Sequence, residues 1–212
     1  MDIDLQSTFE LFREQVSQID VFQCIVLVFG VAQVLLARSN NILLYPAGII
    51  SVIFSVYILF KVGLYAEAGL NFYYLVMSIY GWWHWIKKKD EPPVKVAFTS
   101  PREWTITAII VSAGWLILYL TLLNLTPSTV PAWDAWVGAT GWAGMWLLAR
   151  RRIENWIILN VSNAFAIPLL FQKELPLFGV LTIFLFLVAC KGYFDWKKIY
   201  KHEQRISSIY PL

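Results

Sequence analysis

The sequence predicts an all-α integral membrane protein. Seven transmembrane helices form two parallel three-helix repeats joined by one linking helix, with the N-terminus outside and the C-terminus in the cytoplasm. Three observations lead there: the composition is too apolar for a water-soluble chain, the basic residues fall on one side of the apolar segments, and the sequence resembles itself at an offset of 111 residues.

Hydrophobic residues make up 58% of the 212 and charged ones 15%, with a mean hydropathy of +0.60. A soluble domain is about half apolar and a quarter charged, so this chain needs lipid to cover its surface. The net charge of +3 is small, and its placement at helix ends argues against nucleic acid as a partner. Cys24 and Cys190 sit inside apolar segments with no disulfide or zinc spacing, so neither a metal nor a cofactor is expected. The N-terminal stretch MDIDLQSTFELFREQVSQID is acidic and lacks a basic n-region, so no cleavable signal peptide is expected.

Apolar segments at 21–37, 43–60, 64–86, 104–124, 133–149, 156–171 and 177–196 are each long enough to cross the bilayer. The criterion is about 30 Å of hydrocarbon at about 1.5 Å per residue. With the N-terminus outside, 14 Lys and Arg residues fall on the cytoplasmic side, among them Lys87, Lys88, Lys89, Arg150, Arg151 and Arg152. Arg13, Lys61 and Lys173 alone face outward. An even number of spans would destroy this positive-inside bias. Before the first span, Leu5, Phe9, Phe12 and Val16 recur at helical spacing, which predicts a short external amphipathic helix.

The 111-residue offset superposes Gly30 on Gly141, Ser51 on Ser162, Gly81 on Gly192 and Trp85 on Trp196. It also brings the loop boundaries into register. Three spans form each repeat, and the fourth span restores the direction of the second copy, which makes the copies parallel, as in SWEET transporters. The expected organisation is therefore an N-terminal segment at 1–20, a first triple-helix bundle at 21–89 and a linker with the connecting helix at 90–132. A second bundle at 133–198 and a cytoplasmic tail at 199–212 complete it.

Carriers built from repeats bind their solute between the copies near mid-membrane, and polar side chains at that depth are costly enough to be functional candidates. Asn71, Tyr74 and Ser78 form one stripe on the third helix, with Glu67 above them; Asn160 and Asn163 are neighbours on the sixth. Gln33 and Tyr45 come from the first two helices, and Trp142 and Trp146 share a face of the fifth as platforms for a ring. These nine, Glu67 aside, are the candidate substrate-binding residues. Pro46 and Pro168, in corresponding helices, are candidate hinges. Lys191 and Asp195 are spaced for an ion pair, and the cluster Trp82, Trp83, Trp85 reads as an interfacial belt apart from any member that turns inward. No catalytic set is present: His84 and His202 lie at the cytoplasmic edge, and no paired carboxylates share a cavity, so the chain is not expected to be an enzyme.

The stretch IYGWWHW closing the third helix, the RRRIENW run that opens the sixth, and the seven-span layout resemble the Pnu vitamin transporters of bacteria over residues 21 to 200. That resemblance implies a SWEET-like fold in the bacterial inner membrane. It also implies facilitated diffusion of an unphosphorylated vitamin precursor with alternating access, and trapping by a cytoplasmic kinase that need not touch the carrier. One branch, PnuC, carries nicotinamide riboside; a sister branch, PnuT, carries thiamine. In the PnuC branch IENW continues to a second tryptophan three residues on, whereas Leu159 stands there in ENWIILNVSN, with Asn160 and Asn163 following. Nicotinamide riboside is the expected cargo, and Leu159 favours thiamine as the alternative. A SWEET-like sugar carrier and a seven-helix receptor fit the topology, not these motifs. A homo-oligomer is compatible with the sequence, which does not fix the oligomeric state.

Overall fold

The structure, a computed structural model, describes residues 5–61, 63, 65–86 and 94–209. The lysine cluster Lys87, Lys88, Lys89 and the side chain of Glu67 lie outside the described residues. Eight helices follow in order: α1 (Leu5–Ser17), α2 (Val21–Arg38), α3 (Leu44–Lys61), α4 (Tyr65–Trp85), α5 (Pro101–Leu125), α6 (Pro131–Ala149), α7 (Asn155–Gln172) and α8 (Pro176–Ile209). Among the described residues there is no β-strand, only an isolated bridge between Ala97 and Arg152. Helices α2, α3, α5 and α8 are long and apolar enough to cross a membrane by length and composition. The other three long helices, α4, α6 and α7, are diluted by tyrosine, tryptophan, glycine and asparagine.

Local chemistry sets the helix ends. Asp20 accepts from the Gln23 amide at 2.7 Å while Gln23 accepts from the Asp20 amide, a capping box that starts α2. Ser100 and Glu103 do the same for α5, with Pro101 at its first position. That cap begins α5 ahead of its apolar run. Asn40 and Arg151, which the offset pairs, follow α2 and α6 with φ of 54° and 61°. This left-handed conformation stops a helix and is uncommon outside glycine and asparagine. α8 runs to Ile209 and so continues through most of the stretch assigned to the tail. Hydropathy ends near Trp196, but KKIYKHEQRI holds no helix breaker, and helicity does not require lipid.

Six helices close an annulus. α2 packs on α3, α3 on α4, α4 on α6, α6 on α7, α7 on α8, and α8 returns to α2. Among the described residues α2 does not reach α4, and α6 does not reach α8, so each triplet is a curved row and not a bundle. The two rows meet through α4–α6 and α8–α2, which are corresponding contacts under the offset. α5 lies outside, against α6 and α4, and α1 rests on α8. Outward faces are apolar: Ile109 of α5 is 59% exposed and Leu187 of α8 is 61% exposed. Asn155, Ser78 and Thr107 are buried, the inverse of the usual soluble pattern.

Contacts within the annulus recur 111 residues on. Ser51 Oγ donates to the Val26 carbonyl at 3.0 Å, and Ser162 Oγ to that of Val137 at 2.8 Å. Trp85 Nε1 donates to the Ala149 carbonyl at 3.0 Å, and Trp196 Nε1 to that of Ala37 at 2.9 Å. Each indole thus reaches across to a carbonyl at the end of the first helix of the other repeat; that of Ala37 also accepts from the Asn40 amide at 2.9 Å. Gly81 and Gly192 are required by the same design. An added Cβ would lie 2.3 Å from the Tyr45 ring in one repeat and 2.7 Å from the Trp156 ring in the other. Trp85 and Trp196 are therefore cross-repeat locks, buried at 6% and 0% exposure, whereas Trp82 and Trp83 are exposed.

Candidate functional site

The annulus encloses a cavity of about 340 Å³ to which all six of its helices contribute and α1 and α5 do not. Gln33 enters from α2, Ser51 and Ser55 from α3, Asn71 and Tyr74 from α4. Opposite them stand Gly141 and Met145 of α6, Leu159, Ser162 and Asn163 of α7, and Leu185 of α8. The described lining residues carry no charge. Amide, hydroxyl and phenol groups on apolar walls are what a neutral polar or delocalised ring compound needs, and the volume falls within the range for small ligands.

The two repeats line this cavity differently at one matched spot. In the first, α2 presents Gln33 over Gly48, where a Cβ would lie 2.7 Å from the amide carbon. In the second, the offset puts Gly144 in place of Gln33 and Leu159 in place of Gly48, with Leu159 Cδ2 2.6 Å from a Cβ built on Gly144. The side chain comes from opposite helices and changes from amide to alkyl. Gly141 performs a third such service, since a Cβ there would meet the Tyr74 hydroxyl at 2.7 Å.

At the end of the annulus that bears Arg38, Arg150, Arg151 and Arg152, four aromatic rings pack into a closure, of which Trp156 lines the cavity. Tyr45 meets Trp85 edge to face with centroids 5.2 Å apart, Trp156 meets Trp196 likewise at 5.7 Å, and Trp85 and Trp196 meet each other at 6.1 Å. The Arg151 guanidinium lies over Trp85, 4.3 Å from the ring centroid. Its Nε donates to Asn40 Oδ1 at 2.9 Å and its Nη1 to the Val94 carbonyl, so it ties both helix turns to the linker. Burial lowers the Arg151 pKa from its usual value, and the group keeps its charge because an arginine starts so high. Arg38 pairs with Asp195 at 2.9 Å across the α2–α8 seam. That is a correction: Asp195 takes Arg38 and not Lys191, because the partner on the next helix is nearer the buried face. Glu103 adds a further tie, accepting from Arg152 Nε at 2.8 Å and Arg150 Nε at 3.4 Å.

Of the nine expected site residues, the cavity brings together Gln33, Asn71, Tyr74 and Asn163. Five stand elsewhere. Tyr45 is fully buried in the aromatic closure and Ser78 is buried on α4, both off the wall, with their oxygens unpartnered among the described residues. Trp142 stacks on Tyr73 at 4.5 Å in the α4–α6 seam and accepts the Tyr73 hydroxyl at its carbonyl, so the expected ligand platform already holds a protein ring. Trp146 packs on the aromatic core. Asn160 lines an outward groove between α7 and α8, where its amide donates to Cys190 Sγ at 3.2 Å. Of the expected hinges, Pro168 lies inside α7. Pro46 is the third residue of α3, where no intrahelical acceptor is lost, so it bends nothing. Leu185, Met145 and Val52 on the wall escaped the sequence reading. The offset could have found two of them, because it pairs the expected residues Tyr74 and Asn163 with Leu185 and Val52.

Residues 20–198 match the family described as nicotinamide mononucleotide transporter. The chain belongs to this family. Curated relatives include the nicotinamide riboside transporters PnuC of Escherichia coli (strain K12) and of Shigella flexneri. Each is 22% identical over 187 aligned residues, covering 76% of this chain and 78% of the relative. The crystal structure of the vitamin B3 transporter PnuC shares the fold, with a TM-score of 0.67 and 23% identity over 92% of this chain and 90% of that one. The matched proteins are transporters and not enzymes.

Proposed function

We propose that this protein carries nicotinamide riboside across the bacterial inner membrane by facilitated diffusion with alternating access. The carrying observation is the uncharged cavity at the centre of the annulus, in a chain whose curated relatives are named as nicotinamide riboside transporters. Gln33, Asn71, Tyr74 and Asn163 hold the solute, the amides bonding ribose hydroxyls and carboxamide while Tyr74 faces the pyridinium ring. All seven long helices, α2 to α8, cross the membrane. The N-terminus is outside, so α1 is external and the arginine-bearing end faces the cytoplasm. Two parallel triplets joined by α5 make a SWEET-like 3+1+3 arrangement, and the aromatic closure is the inner gate. Movement of the solute down its own gradient needs no coupled ion, and phosphorylation by a cytoplasmic kinase traps it.

Leu159 supports a second cargo, thiamine. It stands on the cavity wall, at the position where the PnuC branch places a tryptophan. Calorimetric titration of the purified protein with each compound decides between them. Saturable binding of nicotinamide riboside with no heat from thiamine is expected. Thiamine binding alone would transfer the assignment, and binding of neither would remove it.

A further inference from the structure

A second cavity, of about 400 Å³, lies beneath α1. Gln15 of α1, Gln18 just after it and Gln23 of α2 form its polar wall, with Phe178 of α8 among its apolar residues. Ser55 and Asn71 line both this cavity and the central one, so the two meet at those side chains. Gln15 ties α1 to the turn before α8 as its roof: Gln15 Nε2 donates to the Glu174 carbonyl at 2.8 Å, and the Leu177 amide donates to Gln15 Oε1 at 3.2 Å.

The second repeat has a counterpart. The 111-residue offset carries Gln15, Gln18 and Gln23 onto Thr126, Thr129 and Asp134, which line a cavity of about 820 Å³. That cavity shares no lining residue with the central one. Asp134 binds Lys173 Nζ at 2.6 Å and accepts from Ser128 Oγ at 2.5 Å, so an ion pair staples the second mouth. One mouth is uncharged and contiguous with the central cavity; its equivalent is charged and separate.

We propose that the cavity beneath α1 is an outer binding site for the transported solute, occupied on the way to the annulus. The proposal rests on the transport reading above and adds where the solute first binds. The chemistry that fits is a nucleoside-sized, unphosphorylated compound. Glutamine amides donate to and accept from hydroxyl and carboxamide groups, Phe178 offers a ring face, and the described lining residues include no lysine or arginine to neutralise a phosphate.

Calorimetric titration of the full chain with nicotinamide riboside tests it. Wild type is expected to show two binding events. Leu27→Trp, which fills the outer cavity from a residue that does not itself line the central one, is expected to leave one. Gln15→Ala, which leaves the annulus intact, is expected to weaken the outer event about tenfold by releasing two hydrogen bonds, with the central event unchanged. One event in wild type, unaltered in stoichiometry and affinity by both variants, overturns the outer site and leaves the carrier assignment standing. No binding of nicotinamide riboside to folded wild type overturns the cargo instead, and the same titrations with thiamine then read the outer site by the same criteria.

Discussion

The two three-helix repeats share a scaffold and differ in their wall. Ser51 and Ser162 make the same hydrogen bond, Trp85 and Trp196 lock opposite helix ends, and Gly81 and Gly192 both yield to an aromatic ring. Yet Gln33 corresponds to Gly144, Gly48 to Leu159 and Val52 to Asn163. Ser51 and Ser162 keep their matched bonds although both line the cavity, whereas the pairs Gln33 with Gly144 and Val52 with Asn163 give the two sides of the wall different chemistry. Under the transport reading proposed above, an asymmetric solute would use the different chemistry of the two faces.

The sharpest way to break the comparison is to crowd the scaffold. Gly81→Ala and Gly192→Ala are each expected to cost about 2–3 kcal/mol by overpacking, read as a lowered Tm in detergent. Gly69→Ala, with nothing within 4 Å of an added Cβ, is expected to leave Tm unchanged or raise it. Tolerance at Gly192 alone would mean that the two repeats are not held alike.

The tryptophan locks come next. Trp85→Phe and Trp196→Phe each remove one buried hydrogen bond and are expected to cost about 1–2 kcal/mol. The first should cost more, because Arg151 lies over that ring. Thermal unfolding of the pair measures the difference, and an equal loss would remove any role for Arg151 in holding the closure.

At the wall the expected effect falls on binding. Gln33→Leu should weaken nicotinamide riboside about tenfold by loss of an amide contact, roughly 1.4 kcal/mol, with Tm retained. The smallest effect is expected for Asn160→Ala, whose amide faces the outward groove; an unchanged dissociation constant by calorimetry confirms that placement. A large loss there would move the site to the α7–α8 seam.

Much of the scaffold was legible in the sequence because it rests on one-dimensional signals. Apolar length marks helices, Lys and Arg placement suggests a direction, and the 111-residue offset pairs α2, α3 and α4 with α6, α7 and α8. The site was only partly legible. Helical spacing showed that Trp142 and Trp146 share a face but not which neighbour that face meets, and Trp142 meets Tyr73. The pairing of Asp195 with Arg38 spans 157 residues and follows from closure of the annulus, which no local pattern encodes. Likewise the side chain facing the matched glycine switches from Gln33 on α2 to Leu159 on α7, visible only once the helices are packed. Apolar wall residues such as Leu185 carry no polar signal in the sequence, though a cavity for a ring needs apolar wall as much as polar.

Uptake of radiolabelled nicotinamide riboside into proteoliposomes tests the central claim most directly. Saturable uptake down the substrate gradient, with no imposed pH or sodium gradient and with Gln33→Leu raising KM, is the expected result. Absence of uptake by folded protein, or uptake that follows only an imposed ion gradient, would contradict the account.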